Sequence, residues 1–141
     1  MKKVIILIIS IVAAYAGVMY FSASINGDSE GGITIILKDD NGDIVSTESY
    51  QFTSEESLFN FIRSNYQVTC ANSNYKPDSS CEFVMLESHV ILEIDSLQTN
   101  WTGSYLQIFI NDVPSQYGVD KIMLEDNTTY TFKYVDLGGG N

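Results

Sequence analysis

A chain of 141 residues, 45% of them hydrophobic, has room for one domain with a real core and needs no second. All 18 acidic residues lie beyond residue 27 and two of the seven basic ones, Lys2 and Lys3, precede it. From Gly27 onward, therefore, five basic residues stand against 18 acidic ones, a net charge of −13. Such a surface repels nucleic-acid phosphates and anionic bilayers, which argues against nucleic acid as a partner.

Met1-Lys2-Lys3 is followed by Val4 to Phe21, eighteen residues without a charge. That pattern is an export signal rather than a buried core helix, and its length admits two forms. One is an uncleaved anchor, which makes the membrane a partner through residues 4–21. The other is a signal peptide cleaved near Ser24, with Ser22 and Ser24 at the small-residue positions. No Cys follows the run, so the usual lipid attachment site of a bacterial lipoprotein is missing. With the lysines on its N-terminal side, the run leaves the remainder outside the cytoplasm, anchored or secreted. The expected organisation is a signal or anchor over 1–24, a polar, Gly-bearing stalk over 25–31, a domain over 32–137 and a disordered tail over 138–141.

The domain opens with Gly32 to Lys38, a β-branched run that puts Ile33, Ile35 and Leu37 on one face. Asn41-Gly42 favours a tight hairpin turn into a second strand, Ile44 to Phe52. The Asp39–Asp43 cluster resembles the start of an EF-hand calcium loop, but Ile44 and Tyr50 stand where that loop needs Gly and Glu, which favours a plain turn. Thr53-Ser54-Glu55-Glu56 is a capping box, predicting a helix from there to Tyr66. Its apolar stripe is Leu58, Phe59, Ile62 and Tyr66, widened by Phe61, and packs on the sheet. Strand, hairpin, strand, one amphipathic helix and more strands predict an α+β fold, a β-grasp-like mixed sheet packed on one helix.

Gln67 to Cys70 reads as a short strand, and a polar loop leads to Cys81. Two cysteines in the exported part, flanking one loop, are most simply a disulfide. A free or catalytic Cys70 is the sharper alternative: Val68-Thr69-Cys70 resembles the end of the sortase cysteine motif. In that family the catalytic His precedes the Cys, whereas the only His here, His89, follows it and the only Arg, Arg63, comes before. Two Cys and one distant His are too few for a closed zinc site, so neither metal nor cofactor is expected. Cys81 to Leu86 and Ser88 to Ile94 read as strands broken near Glu87, with His89 an ordinary polar residue beside them. Asn100-Trp101-Thr102 and Asn127-Thr128-Thr129 fit the glycosylation acceptor pattern. Trp101 either closes the core or offers a stacking platform.

Gly103 to Val135 holds two alternating runs, Leu106/Ile108/Ile110 and Tyr130/Phe132/Tyr134, expected as central strands. Tyr105 to Asn111, a link with Gly118, and Leu124 to Tyr134 together resemble the end of the transcobalamin C-terminal-like domains, which also occur as a bacterial exported domain of unknown function. That family closes its aromatic-rich strand in Asn-Gly and enters the last strand through Leu-x-Asp-Gly-Asp; here Asp112 replaces the Gly, and Asp126-Asn127-Thr128 replaces Asp-Gly-Asp. The resemblance implies a β-grasp domain. In the vitamin carriers that domain covers one side of cobalamin beside a large helical domain.

The sequence contains no catalytic constellation, so the reading is a binding module for a small ligand, such as a corrinoid or a glycan, or for a partner protein. Tyr105, Gln107 and Phe109, on the strand face opposite Leu106/Ile108/Ile110, are with Trp101 the expected ligand-binding residues. The other readings are an assembly component of an envelope complex and, third, a Cys-dependent enzyme around Cys70 and His89. The anchor form predicts that mass spectrometry of the membrane-associated protein finds residues 4–21 still attached; a mature chain beginning near Ile25 would select the cleaved form.

Overall fold

The computed structural model describes residues 27–99 and 102–138. The expected signal or anchor, Trp101 and the last three residues of the expected tail lie outside the described residues. Among the described residues no helix is long and apolar enough to cross a membrane. The described residues form an α+β fold of nine strands in two sheets and one short helix.

The hairpin forms as its turn chemistry dictates. Strand β1 (Gly31–Lys38) runs antiparallel to β2 (Ile44–Phe52), and the turn between them is closed by Gly42 N–H to Asp39 C=O at 3.0 Å with Gly42 at φ +84°. One Asp39 carboxylate oxygen accepts from the N–H groups of Asn41 (3.0 Å) and Asp43 (2.8 Å), so the acidic cluster serves the turn. On the other side of β1 lies the last strand, β9 (Thr128–Asp136), parallel to it from Ile33↔Thr128 to Lys38↔Lys133. Strand β7 (Ser104–Ile110) pairs antiparallel with β9, and the two-residue β8 (Val113–Pro114) completes the order β2-β1-β9-β7-β8.

The inner face of this sheet carries the alternating residues expected of it: Ile33, Ile35, Leu37, Tyr130 and Phe132 are buried, and Leu106, Ile108 and Ile110 pack on them. Helix α1 (Leu58–Asn65) adds Leu58, Phe59, Phe61 and Ile62 to the same core, which Tyr66 joins. Each fully buried side chain of this size contributes roughly 1.5–3 kcal/mol.

Two local expectations are corrected. The helix is capped not by Thr53 but by Ser57, whose hydroxyl accepts from Asn60 N–H at 3.3 Å. The preceding residues are drawn into an extended contact instead: Glu56 C=O accepts from Leu124 N–H at 3.0 Å and Ser57 bridges Met123. That contact supplies acceptors for the helix start as well, since Leu58 N–H donates to Ile122 C=O (2.7 Å) and Phe59 N–H to Val119 C=O (3.3 Å). The strand expected over Cys81 to Leu86 does not form, that over Ser88 to Ile94 is limited to Ile91–Ile94, and the break expected near Glu87 is a turn with Leu86 and Glu87 at φ 51° and 68°. Here Met85 and Ser88 close a tight turn by a mutual pair of hydrogen bonds.

A second sheet, which the sequence did not announce, has the order β4-β3-β5-β6, from β3 (Val68–Ala71), β4 (Pro77–Asp78), β5 (Ile91–Ile94) and β6 (Leu97–Gln98). It is stapled by the Cys70–Cys81 disulfide, with Cα atoms 5.1 Å apart. Closing a loop of this length stabilises the fold by about 3 kcal/mol. Order also begins ahead of Ile33: Asp28 N–H donates to Leu124 C=O at 2.8 Å, and the Asp28 carboxylate accepts from Asp126 N–H at 2.8 Å.

Tyr130 fastens the last strand to the segment before it. Its hydroxyl donates to Met123 C=O (3.0 Å) and accepts from Glu125 N–H (2.9 Å). Burial is the main cause that pushes this phenol up from 10.0 to about 12. The folded state therefore holds the proton more tightly than the unfolded one, and the stability this gives is complete below pH 10 and lost as pH rises towards 12. Tyr130→Phe leaves two backbone groups unpaired and is expected to lower unfolding free energy by about 1–3 kcal/mol in urea titrations at neutral pH. Its stability should also fall less steeply than the parent's between pH 10 and 12.

Candidate functional site

The outer edge of β7 is only partly covered. Asn111 N–H to Thr129 C=O and Leu137 N–H to Gly103 C=O, both 2.8 Å, bracket the β7–β9 ladder. By antiparallel alternation Tyr105, Gln107 and Phe109 bond to β9, so Leu106 and Ile108 turn their backbone groups the other way. There β8 pairs only with Phe109 and Ile110, and Ser115 N–H takes Ile108 C=O at 2.8 Å. Beside the remaining edge lies a cleft of about 260 Å³, whose floor and walls include Ile91, Leu106, Ile108 and Phe132. That it touches four consecutive strand residues, Tyr105 to Ile108, shows that it follows the strand's edge rather than one face.

The wall opposite is held by one carboxylate. Asp120 accepts from the His89 backbone N–H (2.6 Å) and the Ser88 hydroxyl (2.9 Å), and its other oxygen lies 2.8 Å from His89 Nδ1. His89 Nε2 lies 2.9 Å from Cys81 C=O, and the ring stacks on Phe59 with centroids 3.8 Å apart. Both ring nitrogens thus face acceptors; a neutral ring serves one of them, and the ring carrying both protons serves both. Through these contacts Asp120 locks the Ser88–Val90 segment to the 117–121 loop, which the start of α1 holds in turn.

Gly118 is required at this junction: a Cβ there would stand 2.3 Å from Ser88 Oγ and 2.4 Å from Ser88 Cβ. Its neighbour Tyr117 is 43% exposed and lies between two recesses. The second, of about 370 Å³, is lined by Leu86, Ser88, Gln116 and the Lys121–Glu87 ion pair (3.1 Å).

The expected ligand-binding residues are not all gathered here. Tyr105 and Gln107 line the first cleft. Phe109 lies instead in a smaller recess with Lys38, Gly42, Asp112, Thr131 and Lys133, and Trp101 is outside the described residues. His89, Asp120 and Tyr117 escape a reading of the sequence. The His–carboxylate pair spans 31 residues, so no local spacing reveals it. Only the dipeptide Tyr117-Gly118 in the link before the last strand offered a signal, as an aromatic beside a residue without a side chain.

Residues 55–136 match the family described as "Domain of unknown function (DUF4430)", and the chain belongs to that family. A solved structure from Ruminococcus gnavus ATCC 29149, described as "a putative metal binding protein", aligns with a TM-score of 0.55 at 10% identity, covering 75% of this chain and 97% of that one. A likeness at that identity shows a shared fold. No curated protein matches the sequence. Among the described residues no group of three or more His, Cys, Asp or Glu side chains is placed to hold a metal ion.

If Asp120 holds the cleft wall, Asp120→Ala, which strands three donors on Ser88 and His89, should cost about 2 kcal/mol or more in urea unfolding. Amide exchange should quicken first across residues 85–90, before the β1–β9 ladder.

Proposed function

We propose that the chain is a non-catalytic, extracytoplasmic binding module of the β-grasp, transcobalamin C-terminal-like kind, presented at a membrane or secreted through its N-terminal apolar run. The observation that carries this is the cleft along β7, an apolar trough with the half-exposed Tyr117 at its rim and polar groups at its margins. Such a mixture suits a flat, ring-bearing ligand that lies partly in the trough and stacks on the tyrosine. A corrinoid engaged along one side is the ligand class favoured, with Tyr105 and Gln107 on the wall.

The strand order supports the β-grasp reading, since a parallel central pair flanked by antiparallel partners, with a helix across one face, is that topology. Support for a non-catalytic role comes from the candidate reactive groups. Both sulfurs are joined in the disulfide, and both His89 ring nitrogens are engaged. The disulfide accords with an oxidising compartment.

Thermal unfolding of the full chain in a neutral detergent, with corrinoids, haem and simple glycans added in turn, tests the reading. A corrinoid is expected to raise the midpoint in proportion to RT ln(1 + [L]/Kd), and Tyr117→Ala to weaken the effect about tenfold. No shift with any class, together with a stoichiometric envelope protein in co-purification, would favour the assembly-component reading instead.

A further inference from the structure

The recess around Phe109 lies on the outer face of the five-stranded sheet, away from the core. Tyr130 and Phe132 point into the core, so Thr131 and Lys133 between and beyond them point outward, and Leu37 inward sets Lys38 outward likewise. Lys38 and Lys133 are direct register partners on adjacent strands. Like charges side by side are unfavourable, and in a domain with five basic residues against 18 acidic ones two of the five occupy this one spot. Both are half-buried, and among the described residues neither makes an ion pair.

An independent feature marks the same place. Thr131 is 2% exposed, and its hydroxyl is buried without a hydrogen-bond partner. A buried orphan hydroxyl costs stability unless something supplies its partner. Thr131 lines the recess of about 150 Å³ together with both lysines, Phe109, Gly42 and Asp112. Gly42, at the positive φ of its turn, lies beside Lys133, within 3.9 Å of its Nζ for a Cβ placed there. No carboxylate among the described residues forms an ion pair with either lysine. Asp39 serves its own turn, and Asp112, though it lines the recess, pairs with neither lysine.

We propose that this recess binds a tetrahedral oxyanion, a phosphate or sulfate group, held by the Lys38 and Lys133 ammonium groups and accepting a hydrogen bond from Thr131 Oγ1. Two cations answer the anion's charge, the hydroxyl gains its missing partner, and the Phe109 ring offers an apolar contact to whatever the group is esterified to. Asp112 opposes the anion and sets its affinity low. The site is separate from the β7 cleft and does not depend on what that cleft binds.

The test is thermal unfolding of the full chain in neutral detergent with inorganic phosphate, sulfate or glycerol phosphate, at an ionic strength fixed with chloride. Phosphate and sulfate are expected to raise the midpoint, and glycerol phosphate to bind more tightly than inorganic phosphate if the natural group is esterified. Lys38→Gln/Lys133→Gln should abolish the response, and Asp112→Asn should strengthen it. Thr131→Val separates binding from packing: it should weaken phosphate about tenfold while leaving the phosphate-free protein as stable or more so. Tyr117→Ala should leave the phosphate response unchanged, which keeps this site's outcome apart from that of the cleft. The proposal is overturned if no oxyanion shifts the parent protein, or if the shift survives in the double lysine variant.

Discussion

The fold depends on the parallel pairing of its first and last strands. Ile35 and Leu37 of β1 meet Tyr130 and Phe132 of β9 in register, and all four are at most 1% exposed. Parallel neighbours cannot be joined by a hairpin, so everything between β2 and β9 must travel out and return across the sheet. Loop-closure entropy grows only slowly with the length of the intervening chain, and the buried aromatic and aliphatic contacts offset it. The returning chain, with α1 and the disulfide-stapled second sheet, joins the core on one face. Among the described residues no element packs on the other, so the crossover leaves both the cleft beside β7 and the outer face that carries the paired lysines.

That geometry explains which features were legible in the sequence. The alternation of Ile33, Ile35 and Leu37, the Asn41-Gly42 turn and the stripe from Leu58 to Tyr66 depend on neighbours a few residues away, and all form as read. The helix starts later than the capping box predicts because residues 56–58 bond to 122–124 instead. The break near Glu87 is where the sequence puts it, but the strands on either side give way for a similar reason: the disulfide holds Cys81 at a positive φ and Asp120 ties down Ser88 and His89. At the site, Tyr105 and Gln107 came from strand alternation, but His89 seemed to lack a carboxylate because its partner is distant in sequence. Tyr117 belongs to no periodic run, so only the fold shows that it borders the cleft.

Belonging to a family defined without a function leaves chemistry to the individual side chains. The same acidic surface that argues against nucleic acid makes two adjacent, unpaired lysines the more informative. In a mixed-charge surface they would attract no notice. Against a net −13 from Gly27 onward, neither lysine forms an ion pair among the described residues.

The cleft persists as an open edge because β8 stops after two residues. A longer β8 would cover Leu106 and fill the trough, whereas an entirely uncovered β7 would present a long apolar edge for other chains to pair with. Pro114 lies opposite Phe109, whose backbone groups serve β9, so the N–H it lacks faces away from β7 and blunts the outer edge, while Ser115 N–H to Ile108 C=O continues the contact one residue past β8. The edge is thereby cut to a short span, flanked by Tyr117 and walled by the Asp120-held segment. Such a span is too short to seed a second sheet, so the trough stays open without leaving a long edge prone to aggregation.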